Sequence, residues 1–423
     1  MSVYSKRFAH STANMIKSLQ FKPLARSWGF ATALVLGLAC LSPQAKAAPR
    51  IPTQPTEVLE RLPMRPTDTT ARALAALRAE VRQSAASAPG NPDAAIRLAE
   101  QYFDLALARG DPRYVGYADA VIKPFAQADS APLWAMRGQL LQYRHGFDGA
   151  LASFAAAIKL DPSFASAHAW RGAIFLVQAD YGAAAAECAA LGRLGRTALF
   201  GACTGLAQAY SGHLERALSH FQHALKATDN PGNRLWLLTR TGEVEAWLGR
   251  PARAEAAYRQ ALALGQEDGY LLAAWNDFLL DQKRPAEVVQ GLAAWESSDG
   301  LLLRLALAEK QLALPKAAVH AQVLQDRFAA AKLRGDTTHR AEEARFLLHI
   351  KNDVPQALQI AVANYAVQRE PRDARILLEA ALAAADAKAA KPVLDWLSSS
   401  GFEDAQLRQL AKAMSQLPTK GTP

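Results

Sequence analysis

The sequence predicts an all-α protein, a right-handed solenoid of antiparallel helix pairs. The first reason is repetition, because small and large apolar residues recur at spacings of 33 to 37 residues. The second reason is composition. Half of the 423 residues are hydrophobic, Ala is frequent, and runs of Val, Ile and Thr are rare. This composition favours closely packed helices over β-sheet.

The clearest repeat unit runs from Leu133 to Pro162 and has the pattern of two short helices joined by a tight turn. Small residues at Gly138 and Ala150 predict a close approach of the two helices, and Phe154 is expected to fill the space between units. Pro162 ends the second helix, because proline interrupts the hydrogen-bond ladder. The Gly, Ala and aromatic positions have these counterparts in the next three units: Gly172, Ala184 and Cys188; Gly205, Ala217 and Phe221; Gly242, Ala254 and Tyr258.

A small-large signature in the first unit resembles that of the tetratricopeptide repeat (TPR) family, here of an exported bacterial type. The residues that carry the resemblance are Trp134, Gly138, Ala150, Phe154, Ala157 and Pro162. It covers residues 131 to about 264, although Arg137 and Arg171 stand where the family usually has Leu. The resemblance implies a solenoid whose first helices line a concave surface that holds extended peptides or partner segments.

The chain divides into five expected segments. They are a signal peptide (1–47), a Pro-rich linker (48–69), N-terminal helices with a divergent repeat (70–130), TPR-like repeats (131–297), and divergent helical repeats with a C-terminal cap (298–417). Within the last segment, residues 341–350 and 402–416 are among the predicted helices. Each turn between the helices of a clear unit is expected to place a glycine where the first helix stops, at Gly146, Gly212 and Gly249.

The N-terminal segment predicts export to the periplasm. A basic start precedes an apolar run from Gly29 to Leu41, and Ala45-Lys46-Ala47 resembles a cleavage site. The apolar run is short for a membrane span, so no membrane insertion is expected beyond the signal peptide. Cys40 leaves an alternative open, in which the protein is a lipid-anchored subunit of a secretion or export machine.

The charge distribution argues against nucleic acid as a partner. The net charge is +9, but residues 1–47 contain six basic residues and no acidic residue. The rest of the chain has 42 basic and 39 acidic residues, without a basic block. The sequence predicts no particular oligomeric state.

Two cysteines, Cys188 and Cys203, remain after the predicted cleavage. An oxidising compartment permits a disulfide bond. The favoured interpretation is nevertheless that both are small, unpaired residues buried in a crowded Ala-rich interface.

No catalytic motif, metal site or cofactor site is predicted. The sequence lacks a Gly-rich phosphate loop, His-Glu-x-x-His, Cys-x-x-Cys and Gly-x-Ser-x-Gly. His220 and His223 lie one helical turn apart, and His339 and His349 share a predicted helix. They support only an alternative interpretation, an exported metal-handling protein or enzyme that uses histidines of the solenoid.

The leading prediction is a non-catalytic, protein-binding scaffold or assembly factor that holds a protein or peptide on its concave face. Alignment of the units on their glycines places aromatic, amide and acidic side chains on that face, which suits a neutral or basic segment. A competing interpretation is that the aromatic residues pack between units. The predicted partner-binding residues are Gln139, Gln142, Tyr143, Tyr210, Trp236, Glu243, Trp247, Tyr270, Asp277 and Asp281.

Overall fold

The computed structural model of the chain describes residues 69–417. The predicted signal peptide, the linker up to residue 68 and Cys40 lie outside the described residues. Residues 72–417 belong to one compact unit, and the secondary structure of the described residues is entirely helical.

The first half of the described chain consists of short helices joined by tight turns. Their bounds are α1 Thr69–Ser87, α2 Asp93–Arg109, α3 Arg113–Ile122, α4 Ala131–Tyr143, α5 Phe147–Leu160, α6 Ala165–Val177, α7 Tyr181–Arg193, α8 Thr197–Tyr210, α9 Leu214–Lys226, α10 Pro231–Trp247 and α11 Pro251–Leu262. A single 3-10 turn, Lys123–Phe125, extends α3.

The second half continues in the same way. Its helices are α12 Gly269–Asp281, α13 Pro285–Leu292, α14 Asp299–Gln311, α15 Lys316–Leu333, α16 Arg340–Phe346, α17 Val354–Tyr365, α18 Pro371–Ala383, α19 Ala387–Ser400 and α20 Ala405–Ser415. The segment predicted as one helix over residues 341–350 changes type within its length, because α16 passes into a π-helical turn, Leu347–Lys351.

The helices form consecutive antiparallel pairs from α2–α3 to α18–α19. The first helix of each pair also contacts the first helix of the next pair, which is the stacking pattern of a solenoid. Helix α20 packs against α18 and α19 and closes the array, as expected of a terminal cap. The predicted all-α, TPR-like solenoid is therefore confirmed.

The residues of the small-large pattern pack against each other within the units, as predicted, but the glycine contacts a different residue from the expected one. A Cβ atom at Gly138 would lie 2.7 Å from the Phe154 ring. The side chain that packs against this glycine is therefore Phe154, and not Ala150 as expected. The same ring stacks on Trp170 of the next unit at 6.5 Å. Gly242 and Tyr258 repeat the arrangement at 2.8 Å. These glycines are required because a larger residue would displace the aromatic ring.

Two of the three predicted turn glycines take the left-handed backbone conformation. Gly212 and Gly249 have φ values of +86° and +71°, as expected. The prediction for Gly146 is wrong, because its φ is −79° and the preceding His145 takes the left-handed conformation at +59°. Non-glycine residues of the described chain occupy this conformation in five other turns, at Ala179, Lys283, Ala313, Asn352 and Ala385.

The expectation of unpaired cysteines is also wrong. Cys188 on α7 and Cys203 on α8 form a disulfide bond, with 5.4 Å between their Cα atoms. The two helices pack against each other, and the junction brings the two side chains face to face. The bond ties one unit of the solenoid to the next.

The solenoid coils tightly enough that distant units touch along a line that we call the seam. At the seam, the backbone N–H of Arg369 donates to the Val177 carbonyl at 2.7 Å. The Trp396 indole N–H donates to the Tyr181 hydroxyl at 2.6 Å. A Cβ atom at Gly212 would clash with the backbone around Ser400, so the chains come into close contact there. The seam therefore joins units that lie five or six pairs apart.

Candidate functional site

The ten predicted site residues all lie on first helices of the pairs, and we call this surface the inner face. Their distribution is Gln139, Gln142 and Tyr143 on α4; Tyr210 on α8; Trp236, Glu243 and Trp247 on α10; Tyr270, Asp277 and Asp281 on α12. The structure separates them into a group on α4 and a group on α8, α10 and α12 with different surroundings.

The α4 group is half-buried, and its side-chain amides are not hydrogen-bonded to other described residues. The side chains of Gln139 and Gln142 form no hydrogen bond with another residue of the range 69–417. The Tyr143 ring packs edge-on against Phe103 at 6.2 Å. Burial raises the pKa of Tyr143 to about 12, with nearby carboxylates such as Asp336 adding to the effect. This part of the inner face is therefore polar, and carboxylates lie close enough to act on the Tyr143 phenol.

The two tyrosines of the second group, Tyr210 and Tyr270, belong to a buried polar cluster. The Tyr210 hydroxyl donates to the Glu370 carboxylate at 3.1 Å, and the Tyr270 hydroxyl donates to Glu243 at 2.6 Å. Arg240 donates to Glu243 at 2.9 Å and lies over the Tyr270 ring at 4.3 Å. Burial raises the pKa of both tyrosines well above the ordinary value. The cluster joins α8, α10 and α12 to the start of α18.

Asp277 is the acceptor for two arginines from later units. Arg304 of α14 lies 2.6 Å from one carboxylate oxygen, and Arg345 of α16 lies 2.7 Å from the other. Burial opposes ionisation, yet the two guanidinium groups hold the pKa of Asp277 well below its ordinary value. Asp277 is therefore an ionised carboxylate whose two oxygens are both engaged within the chain.

Asp281 forms the next ion pair along α12. Arg375 of α18 donates to both of its oxygens at 2.8 Å and also to Glu379 at 2.8 Å. Glu379 contacts His349 of the π-helical turn, again at 2.8 Å. Although burial acts in the opposite direction, His349 and Arg375 lower the pKa of Glu379 to about 2. The result is a four-residue charge network across three units.

The two tryptophans serve as packing residues in the folded chain. Trp236 lies edge-on to Phe221 of the preceding unit at 6.1 Å, which agrees with the competing interpretation of packing between units. Trp247 lies between Tyr210, at 6.1 Å, and Phe402, at 5.3 Å. Phe402 follows α19 in the chain, so Trp247 contacts the C-terminal helices.

Sequence reasoning missed the C-terminal partners of the inner face. Helix α18 carries Arg375 and Glu379 one turn apart, and Arg372 precedes them by another turn. This i, i+3, i+7 row of charges was the available signal. The later first helices thus cover the inner face of α8, α10 and α12, whereas α4 keeps its uncommitted amides. A role of the ten residues in partner binding stays a prediction.

The histidines do not assemble a metal site in the described part of the chain. Between residues 69 and 417, no three His, Cys, Asp or Glu side chains lie close enough together to hold a metal ion. His220 packs against the Phe200 ring, and burial followed by the nearby His223 lowers its pKa. His349 is paired with Glu379. Over the same range, no helix has the length and apolar character needed to cross a bilayer.

Comparison with known proteins gives likeness only at the level of solved structures. No family model matches the chain, and no curated protein sequence matches it either. Similar solved structures include the P58(IPK) TPR domain, with 16% identity over 83% of this chain and 94% of that chain, at a TM-score of 0.21. The APC/C hetero-tetramer Cut9-Hcn1 shows 12% identity over 82% of this chain and 52% of that chain, at a TM-score of 0.28. Naa15/Naa10 bound to HypK-THB shows 14% identity over 81% and 65%, at a TM-score of 0.20. Superpositions at these scores carry no functional argument, so the fold assignment rests on the repeat geometry.

Proposed function

We propose that the protein is a non-catalytic scaffold or assembly factor that is exported to the periplasm and binds a neutral or basic segment of a partner protein. A TPR-like solenoid is suited to this role, because stacked first helices can present a surface to an extended chain. In this chain the α4 part of the inner face keeps polar side chains that no other described residue binds. Fold alone does not decide function, so the proposal rests on the inner face itself.

The observation that carries the proposal is the free polar surface of α4. Gln139 and Gln142 project from successive turns of one helix and have no hydrogen-bond partner among the described side chains. A side-chain amide offers both a donor and an acceptor, which is what an extended peptide backbone requires. The carboxylates that act on Tyr143 supply negative charge beside these amides. A neutral or basic segment complements this surface.

The test compares capture of exported proteins by two double variants. Gln139→Ala/Gln142→Ala removes the free amides from the inner face. Gln260→Ala/Gln290→Ala removes exposed amides from second helices α11 and α13 and serves as the matched control. We expect a partner retained by the wild type and the control to be lost with the inner-face variant. Equal capture by both variants, at equal stability, would contradict the proposed surface.

Localisation has a separate test. The mature protein should be recovered from the periplasmic fraction with an N-terminus close to Ala48. A mature chain that begins with a lipidated Cys40 would contradict the proposed cleavage site and support the lipid-anchored alternative.

A further inference from the structure

A cleft of about 790 Å³ runs along the seam between α7, α17 and α19. Its volume falls in the range of small-molecule sites, which is roughly 300–1,000 Å³. None of its lining residues belongs to α4. The proposed partner surface therefore does not account for it.

The walls of the cleft are mainly apolar and aromatic. Val362 of α17, Leu377 of α18 and Pro392 of α19 contribute aliphatic surface. Tyr181 and Trp396 form an aromatic wall, held together by the hydrogen bond from the indole N–H to the phenol oxygen. Val362 is 43% exposed, so its aliphatic surface is open to a ligand. Such walls favour an apolar ligand body.

One cation in the cleft lacks a counter-ion. Arg369 lines the cleft and is exposed. Its backbone is fixed by the bond to Val177, but its guanidinium forms no ion pair or side-chain hydrogen bond with another described residue. The cleft also contains a carboxylate, that of Asp395, and Lys391 engages both of its oxygens at 2.7 and 2.8 Å. The guanidinium is therefore available to an anionic ligand.

A second polar group at the same wall is unsatisfied. Tyr365 lines the cleft and is only 3% exposed, and its buried hydroxyl has no hydrogen-bond partner in the described chain. A buried hydroxyl without a partner is destabilising by itself. Burial raises the pKa of Tyr365, while Arg369 acts in the opposite direction, so the cation lies near this hydroxyl. One ligand group could serve both side chains.

We propose that the seam cleft binds a small amphipathic carboxylate, with the carboxylate at Arg369 and the Tyr365 hydroxyl and the hydrocarbon body against Tyr181, Trp396 and the aliphatic walls. A guanidinium binds a carboxylate through charge-assisted hydrogen bonds. The hydroxyl can donate one further bond to the same group. An aliphatic chain attached to it would bury its surface between two layers of the coil.

The test uses the full mature chain and dodecanoate as the probe, below its micelle concentration, with dodecanol as the uncharged control. Calorimetric titration should show binding of dodecanoate and much weaker binding of dodecanol. Arg369→Gln should weaken dodecanoate binding about tenfold to a hundredfold, since hydrogen bonds to charged groups have that weight. Arg216→Gln, which changes an exposed arginine of α9, should leave it unchanged.

Tyr365→Phe separates ligand binding from folding. The variant removes only a hydroxyl that has no partner in the free protein, so stability should stay the same or rise, while dodecanoate binding should weaken about threefold to tenfold. With carboxyl-labelled dodecanoate, the carbon resonance of the bound ligand should titrate at a lower pH in the wild type than in Arg369→Gln.

Three results would overturn the proposal. One is failure of the wild type to bind dodecanoate at millimolar concentration. The other is equal binding of dodecanoate by wild type and Arg369→Gln, which would reduce the cleft to an apolar gap between coil layers. A ligand pKa that does not differ between these two proteins would exclude contact with the guanidinium.

Discussion

The contact between Trp247 and Phe402 allows a quantitative test of how the C-terminal helices cover the inner face. The two rings lie 5.3 Å apart, edge to face, although 155 residues separate them in the chain. Phe402 is 2% exposed and also contacts Trp396 at 5.1 Å. Phe402→Ala should therefore lower the free energy of unfolding by about 3–5 kcal/mol, the usual loss for a buried phenylalanine.

A double-mutant cycle isolates the contribution of the contact itself. An aromatic pair contributes about 0.5–1.5 kcal/mol beyond the burial of its surface. The loss in the Trp247→Ala/Phe402→Ala double variant should be smaller than the sum of the two single losses by that amount. Urea denaturation followed by far-ultraviolet circular dichroism measures all four free energies. The matched cycle pairs Phe402→Ala with Trp134→Ala on α4, and those losses should add within about 0.5 kcal/mol. Additivity in the Trp247 cycle would refute the packing of the C-terminal helices on the inner face.

Three further predictions concern turns, acid stability and the disulfide bond. Gly249→Ala should lower the free energy of unfolding by about 1 kcal/mol and Lys283→Gly should raise it by a similar amount, because both residues have positive φ. A Cβ at Gly249 meets no atom within 4 Å, so the loss there reflects the backbone conformation alone. Melting temperatures that do not shift in opposite directions would contradict these turn conformations. Burial, followed by the nearby Arg372, lowers the pKa of His145 to about 4. As the pH falls from about 6.5 to 4, His145 therefore binds a proton in the unfolded chain before it does so in the folded chain. The free energy of unfolding should fall by up to about 3 kcal/mol over this range. His145→Asn, which tolerates positive φ, should remove this part of the pH dependence in urea titrations, and an unchanged slope would count against burial of the imidazole. Reduction of Cys188–Cys203 should lower the free energy of unfolding by about 3 kcal/mol, the loss expected for a closed loop of this length. The stability of the control variant, Cys188→Ala/Cys203→Ala, should not respond to reductant. Equal stability of the oxidised and reduced wild type would contradict the bond.

The features that sequence reasoning predicted are those encoded within one repeat. Gly138 and Phe154 both belong to the small-large signature that the sequence shows, although the ring packs on Gly138 where Ala150 was expected. Helix α15, Lys316–Leu333, lies between Pro315 and Gly335, and such flanking residues are local signals of where a helix begins and ends. A proline or a small residue acts within a few positions, so the pattern is readable without knowledge of the rest of the chain.

The missed features depend on relations between units. Asp281 and Arg375 lie 94 residues apart and meet only because small rotations between successive pairs add up to a closed coil. The disulfide depends on which faces of α7 and α8 meet, and the spacing of two cysteines does not contain that information. The left-handed residue at His145, in place of the expected Gly146, is a miss of a different kind, because both residues lie in the turn within one unit.

Hydrogen exchange at the Arg369 amide tests the central claim, that distant units of the coil touch along the seam, most directly. This residue lies between α17 and α18, and its N–H donates to the Val177 carbonyl at 2.7 Å, 192 residues earlier in the chain. Residue-resolved exchange should show Arg369 protected, with this protection reduced in the Phe402→Ala variant. Exchange of the Arg369 amide at the rate of an unstructured peptide, while the amides inside α17 and α18 remain protected, would show that the coil does not close.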